Sequence, residues 1–306
     1  MPEMDAASLK AIYGEFIRGM DYRPETPITA ENVSYRALQK EFAKYKTAPW
    51  FENTCNAAAS IAELPYPDHS EEIRYQVAKY TWLILYIDDA GYGTLGLDKL
   101  ENFQRCLING IEEPEGQFFQ TYRNHLAQFY RLYETIPANG IVLSSIDFIN
   151  GNLLEQMPNI QGMKINTASA SWPYFLRRRS GTSLPFAFML FPKEVNIDLA
   201  VYIQVVEDMT IFTDFTNDIL SFYKEYLEGE QHTYVYNRAA VTRRSVEDAL
   251  KDIVEDTVQA HRRVVEVLEG SGNTTALDIW RKFANGLMGF HFTSKRYRLH
   301  ELVDVE

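Results

Sequence analysis

The stretch Asn217-Asp218-Ile219-Leu220-Ser221-Phe222-Tyr223-Lys224-Glu225 decides how this chain is read, because Asn217, Ser221 and Glu225 recur at every fourth position. On a helix with 3.6 residues per turn, three such positions lie along one stripe roughly 12 Å long. All three side chains end in oxygen donors: an amide carbonyl, a hydroxyl and a carboxylate. Hard oxygens of modest total charge suit Mg²⁺ better than Zn²⁺ or iron. Such residues at helical spacing usually form a solvated face. Upstream, however, Val205, Val206, Met209, Ile211, Phe212 and Phe215 surround much of a helix read as running from about 196 to 227. Oxygens on a helix inside the protein need partners, and a cation is one.

Outward from that stripe, helical periods recur almost everywhere and no run alternates as a strand does. The spacing predicts helices over about 5 to 19, 31 to 46, 70 to 89, 96 to 109, 115 to 134, 141 to 157, 164 to 180, 196 to 227, 245 to 269 and 275 to 300. Ser70 with Glu71 and Glu72, Asn196 with Asp198, and Ser245 with Asp248 are expected N-terminal caps with acidic first turns. Breaks are expected at Tyr22 to Pro27, Pro65 to Pro67, Gly110 to Gly116, Pro137 to Gly140, Gly229 to Thr233 and Gly270 to Asn273. None is long enough for an interdomain linker, so residues 1–306 are read as a single all-α domain.

The chain has 306 residues, 46% hydrophobic and 24% charged, with a net charge of −12 and a pI near 5.1. Such a field repels nucleic acid and anionic membrane surfaces, so neither is expected as a partner. A polyanion would have to be held through metal ions and a local basic cluster. Cys55 and Cys106 have no paired spacing, which indicates neither a disulfide framework nor a zinc site. The N-terminal residues lack a signal-peptide pattern and no apolar run reaches the length of a membrane span. A cytoplasmic protein is the expectation.

A second candidate site closes the helix that starts near Ser70, where Tyr86-Ile87-Asp88-Asp89-Ala90-Gly91 puts two acids at a helix C-terminus. The macrodipole disfavours negative charge there, and a bound cation would offset that cost. The basic residues that stand out are Arg177-Arg178-Arg179 before Ser180-Gly181, Lys224 beside Glu225, and Arg296-Tyr297. Arg is the side chain suited to bidentate phosphate binding.

Taken together, Asn217-Asp-Ile-Leu-Ser221-Phe-Tyr-Lys224-Glu225 resembles the metal-binding motif N-D-x-x-S-x-x-K-E of class I terpene cyclases. Asp88-Asp89 falls where that family has its aspartate-rich motif, and Arg296-Tyr297 resembles its C-terminal Arg-Tyr pair. With Phe175-Leu-Arg-Arg added, the combination is closest to the fungal trichodiene synthase group, over residues from roughly 80 to 297. One position departs from that group: its third motif Asp is replaced by Tyr92.

The resemblance implies a helical bundle of the isoprenoid synthase fold, with a cavity open at one end. It implies a metal-dependent lyase that ionises farnesyl diphosphate and cyclises the C15 cation. Asp88 and Asp89 would face Asn217, Ser221 and Glu225 across the mouth, holding three Mg²⁺ and a diphosphate. By motif position Arg177 is the diphosphate-sensing residue, with Ser180 and Gly181 following it; Arg178 stands as the alternative. Lys224, Arg296 and Tyr297 would complete the clamp, and a homodimer through outer helices is a family habit. The competing readings are a chain-elongating prenyltransferase of the same fold, which needs an aspartate-rich motif on both walls, and a non-catalytic helical scaffold. Gly229 to Tyr234 is a candidate flap that orders on ligand binding. Trp82, Tyr86, Trp172, Phe186, Phe188, Phe212, Phe215 and Phe292 supply aromatic faces whose share in the cavity the sequence leaves open.

Overall fold

The computed structural model describes residues 5–90, 97–109 and 117–303; the side chains of residues 89, 90, 97–99 and 117 lie outside that description. Every regular element among the described residues is helical. The α-helices are α1 (Ala6–Gly19), α2 (Val33–Glu41), α3 (Phe51–Glu63), α4 (Glu71–Leu85), α5 (Leu97–Asn109), α6 (Gln117–Leu132), α7 (Thr135–Gln156), α8 (Pro158–Gln161), α9 (Trp172–Ser180), α10 (Ser183–Met189), α11 (Leu199–Tyr202), α12 (Val206–Glu228), α13 (Tyr234–Thr242), α14 (Val246–Gly270) and α15 (Thr274–Thr293). Buried apolar side chains from Leu9 to Val303 join one hydrophobic cluster.

Seven helices pack side by side in a closed ring. In order, α3 touches α4, α4 touches α6, α6 touches α7, α7 touches α10, α10 touches α12, α12 touches α15, and α15 returns to α3. α12 is the most enclosed wall, since α14, α13 and α1 also press on it. Phe212, Ile219, Leu220 and Phe222 are fully buried there. Burying each such side chain stabilises the fold by about 1.5–3 kcal/mol relative to leaving it in water. The helix stops at Gly229, whose φ of 76° lets its N–H turn back to the carbonyls of Glu225 and Tyr226. Among the described residues no helix is long and apolar enough to cross a membrane.

Local chemistry explains where the helices differ from the spacing. Ser70 and Ser245 cap α4 and α14, accepting from the N–H groups of Ile73 and Asp248. At the expected Asn196 cap, Asp198 does the capping and Asn196 sits in the left-handed region at φ 50°. The expected single helix from 196 divides into α11, a 3-10 turn Ile203–Val205 and α12. A β-branched run, Val201, Ile203, Val205 and Val206, crowds a regular helix there.

The expected helix over 164–180 is helical only from Trp172. Gly162 ends α8, the Asn166 side chain turns back to the N–H of Ala168, and Pro173 sits in the first turn of α9. The expected break at Pro137–Gly140 is instead the start of α7, because proline is tolerated in a first turn. Gly140 is there for a close approach: a Cβ would overlap the ring of Phe188. The expected helix to 300 ends at Thr293 and continues as 3-10 turns Lys295–Tyr297 and Leu299–Glu301. α3, α8, α10 and α13 carry no expectation. α3 has the helical apolar period Phe51, Cys55, Ala58, Ala59 and Ala62, all buried, and its small residues let α4 pack closely. The expected break over Gly110 to Gly116 lies outside the described residues.

Candidate active site

Helices α3, α4, α7, α9, α10, α12, α13 and α15 all contribute side chains to a cavity of about 620 Å³, within the range of small-molecule sites. Its polar lining contains Asp88, Arg177, Asn217, Ser221, Lys224, Glu225, Arg296 and Tyr297. Residues far apart in sequence are thereby brought to one space. α12 supplies Asn217, Ser221, Lys224 and Glu225 from consecutive turns. Asp88 comes from a wide turn, Tyr86–Ala90, in which α4 loosens to a π-helix. Upstream of it, Phe42, Trp82 and Tyr86 stack, with centroids 3.5 and 5.4 Å apart, and fix the end of α4. Arg296 and Tyr297 sit on the 3-10 turn after α15. The side chain of Asp89 and the residue Tyr92 lie outside the described residues.

The three consecutive arginines of α9 diverge, as about 100° of helix rotation per residue requires. Arg177 turns inward, and its side chain is only 12% exposed. Its Nε donates to both carboxylate oxygens of Asp218 at 2.8 and 2.9 Å, its Nη1 lies 3.1 Å from Asp214, and its Nη2 donates to the Asp214 carbonyl at 3.0 Å. Arg178 is not brought to the cavity; it pairs with Glu207 at 2.8 Å on the outer side. Arg179 lies against the ring of Phe175. Burial works against the Arg177 charge, but Asp218 and Asp214 more than offset it and hold its pKa above the ordinary range. Lys224 Nζ lies 3.3 Å from Glu228 and 3.5 Å from Glu230, so an anion in the cavity must compete for it.

The donor set fits a divalent cation. Ser221 Oγ is buried without a hydrogen bond, an arrangement that costs about 1–3 kcal/mol unless something else binds the oxygen. Beside it, burial raises the Glu225 carboxyl, opposed by the Ser221 hydroxyl, which lies close to it but outside hydrogen-bond geometry, and by Lys224. Glu155, also on the cavity wall, is raised by burial against Ser180 and Arg177. Acids pushed up by burial on several sides of one cavity mark a place where added positive charge is favourable. Among the described residues no three His, Cys, Asp or Glu side chains converge as a metal cluster. Any cation site here draws on the amide and hydroxyl as well as the carboxylates.

The rest of the lining mixes polar and apolar side chains. Phe148, Phe186, Phe283, Leu287 and Phe290 share it with Ile61 and Ile84. Of the aromatic residues marked in the sequence, Trp172 and Phe186 reach the lining, while Trp82, Tyr86, Phe188, Phe212, Phe215 and Phe292 do not. The segment from Glu230 to Tyr234 borders the cavity just past α12. Asp214, Asp218, Glu155 and His291 were missed by sequence reasoning. Asp214 and Asp218 carry a signal in hindsight, since they run one residue off the Asn217 stripe at the same four-residue step. His291 has none in the sequence, because only the packing of α15 against α12 brings it to Asn217. Burial pushes its imidazole down to about 4, with the Leu287 carbonyl opposing.

Helices around one cavity, with an Asn/Ser/Glu stripe, basic side chains and apolar side chains together in its lining, define a class I terpene cyclase. The family model described as trichodiene synthase (TRI5) matches residues 51–306, and the chain belongs to that family. Over 304 residues it is 31% identical to terpene synthase BipA from Cochliobolus sativus, covering 98% of this chain and 92% of that protein. It is also 31% identical to longiborneol synthase CLM1 from Gibberella zeae, over 97% of this chain and 88% of the relative. Among solved structures, a linalool/nerolidol synthase from Streptomyces clavuligerus in complex with 2-fluorogeranyl diphosphate superposes with a TM-score of 0.61. That match has 15% identity and covers 89% of this chain and 98% of that one. The fold is the all-α isoprenoid synthase fold, and the protein is a lyase of the terpene cyclase type. The family uses divalent metal ions and prenyl diphosphates.

Proposed function

We propose that residues 1–306 form one catalytic domain that ionises farnesyl diphosphate in the presence of Mg²⁺ and cyclises the resulting cation to a C15 hydrocarbon or alcohol. The observation that carries this reading is one cavity whose lining brings the oxygens of Asp88, Asn217, Ser221 and Glu225 and the cations of Arg177, Lys224 and Arg296 together with aromatic and aliphatic side chains. Asp88, with Asn217, Ser221 and Glu225, would hold the metal, three ions by family habit. When bound, Mg²⁺ supplies Lewis-acid stabilisation of the diphosphate oxygens as the allylic C–O bond breaks.

The chain's own groups do the rest. Arg177, Lys224, Arg296 and Tyr297 bind the diphosphate and take up its charge as it leaves with the bonding electron pair. Lys224 gives up Glu228 and Glu230 for it. The Phe148, Phe186, Phe283 and Phe290 faces stabilise the cation left behind, each by about 0.5–2 kcal/mol, and exclude the water that would quench it. Loss of a proton, or capture of one water, ends the sequence.

Incubation with farnesyl diphosphate and Mg²⁺, followed by gas chromatography and mass spectrometry, tests this directly. A cyclic C15 product with stoichiometric diphosphate is expected. A longer linear diphosphate would establish chain elongation instead, and absence of diphosphate release with any prenyl diphosphate would leave a helical scaffold.

A further inference from the structure

A line of hydrogen bonds crosses from α9 through Asn217 to α15. Arg177 Nη2 lies 3.3 Å from Asn217 Oδ1, Asn217 Nδ2 lies 3.2 Å from His291 Nε2, and His291 Nδ1 lies 2.8 Å from the carbonyl of Leu287. Amide orientation and imidazole tautomer are ordinarily assigned from such a network, and here its two ends leave no choice. A guanidinium can only donate and a backbone carbonyl can only accept. Everything between must therefore run one way. His291 carries its proton on Nδ1, Nε2 accepts from the Asn217 amide nitrogen, and the amide oxygen is left on the side of Arg177. Turning the amide over would set its NH₂ against the guanidinium and its oxygen against a ring-nitrogen lone pair.

We propose that His291 is a positioning residue that locks the Asn217 amide so that its oxygen, not its nitrogen, is presented to the bound cation. The proposal rests on Asn217 being a metal ligand. The terminal torsion of an asparagine is broad and roughly two-fold, and its two faces have nearly the same shape. Only one of them can bind a cation. Arg177 alone is a poor lock, since its bond to the amide is the longest of the three and its other donors are held by Asp214 and Asp218. His291 is well placed for the task. It is 1% exposed, seated by its own helix at Leu287, and flanked by the rings of Phe290 and Tyr297 at 4.9 and 4.6 Å. Tyr297 lines the same cavity, so the lock lies against the Arg-Tyr turn as well as the oxygen stripe.

The test uses the full chain, with Mg²⁺ titrated calorimetrically in saturating inorganic pyrophosphate, so that binding is read without turnover. His291→Leu removes the acceptor and keeps apolar bulk; Mg²⁺ affinity is expected to fall about tenfold or more, the usual scale for loss of a group that orients a ligand. Asn217→Asp supplies the discriminating background, because a carboxylate offers oxygen at both ends and needs no orientation. It would also face the Nε2 lone pair, so adding His291→Leu to Asn217→Asp should leave affinity unchanged or raise it. An equal loss in both backgrounds would show a merely structural histidine and overturn the proposal, as would unchanged affinity in His291→Leu alone. His291→Gln, whose amide oxygen can accept, is expected to retain more affinity than the leucine variant; an equal loss would also count against the lock. Failure of the wild-type chain to take up Mg²⁺ with pyrophosphate would overturn the reading of the site itself, and the proposal with it.

Discussion

Arg177 lays its Nε between the two carboxylate oxygens of Asp218, at 2.8 and 2.9 Å, inside the wall of the cavity. The same guanidinium serves Asp214 one turn earlier, so a single cation compensates two buried acids. Removing one partner of a buried pair leaves uncompensated charge and costs about 3–5 kcal/mol. Arg177→Met is expected to lower the free energy of unfolding by that order, read from denaturant titration, and to abolish diphosphate release. Arg177→Lys keeps the charge but not a planar fork that reaches both acids. It should recover most of the stability and little of the activity. Equal recovery of both would show that the fork geometry is irrelevant to turnover.

Ser221 separates function from stability in the opposite sense. Its hydroxyl is buried and lacks a hydrogen bond, so Ser221→Ala removes an unsatisfied polar group from the ligand-free protein. Thermal stability without metal should be unchanged or higher by about 1 kcal/mol. The Mg²⁺ concentration for half-maximal turnover should rise at least several-fold, and Asn217→Ala with Ser221→Ala should abolish turnover with helicity intact. Near wild-type diphosphate release from that double variant would remove the oxygen stripe from the metal site.

Gly181 closes α9 beside the same arginine. Its φ of −85° suits any residue, so backbone strain is not the issue. A Cβ there would overlap the Asp214 carboxylate and the Arg177 guanidinium. Gly181→Ala must therefore push one of them aside. The expected result is a large loss of kcat with circular dichroism unchanged, and a crystal structure in which Arg177 has left Asp214. Retention of full activity would mean that Arg177 is not needed where it lies.

The legible part of this protein was the part written at one helical period. The Asn217, Ser221 and Glu225 stripe needs only α12 to be a helix, and Asp88 needs only the end of α4. Their facing one another across a metal site came from resemblance; the structure places all four on the lining of one cavity. What the sequence withheld depends on neighbours. Arg177 and Arg178 are chemically alike, and only the rotation of α9 against α12 turns one inward and the other onto Glu207. Gly140 reads as a breaker until Phe188 is seen against it. α3 escaped notice because after Phe51 its core face is alanine, threonine, cysteine and serine, which carry little hydrophobic signal yet permit close helix packing.

His125 makes the protein sensitive to acid at a point away from the cavity. It is fully enclosed beside Tyr80 and Phe129, with neither ring nitrogen in hydrogen-bond geometry. Burial pushes its imidazole down to about 3, with Lys79 adding to the shift and the Gln76 backbone opposing it. The unfolded chain takes up that proton near 6.5 and the folded chain does not, so the unfolded state binds more protons between those values. The neutral histidine therefore contributes stability that is present above pH 6.5 and lost as the pH falls toward 3. His125→Phe removes the titration while keeping an aromatic ring. The melting temperature of the variant should fall less steeply than that of the wild type as the pH drops below about 6.5. Parallel curves would show that His125 is protonated within the fold.

Phe186 tests what the apolar wall contributes. It lines the cavity from α10, stands edge-on to Tyr80 at 5.7 Å and 80°, and its carbonyl accepts from the buried Tyr66 hydroxyl at 2.9 Å. The backbone of this segment is thus anchored independently of the ring. Phe186→Leu keeps an apolar filler but loses an aromatic quadrupole, a contribution of about 0.5–2 kcal/mol to a passing cation. If the ring stabilises a cation formed after ionisation, diphosphate release should slow by no more than about thirtyfold, the factor that about 2 kcal/mol represents. The product spectrum should shift toward acyclic or hydroxylated compounds, because a less stabilised cation is lost earlier to proton transfer or to water. A variant that is equally slow but makes the wild-type product alone would place Phe186 outside the path of the cation, as a packing residue of α10.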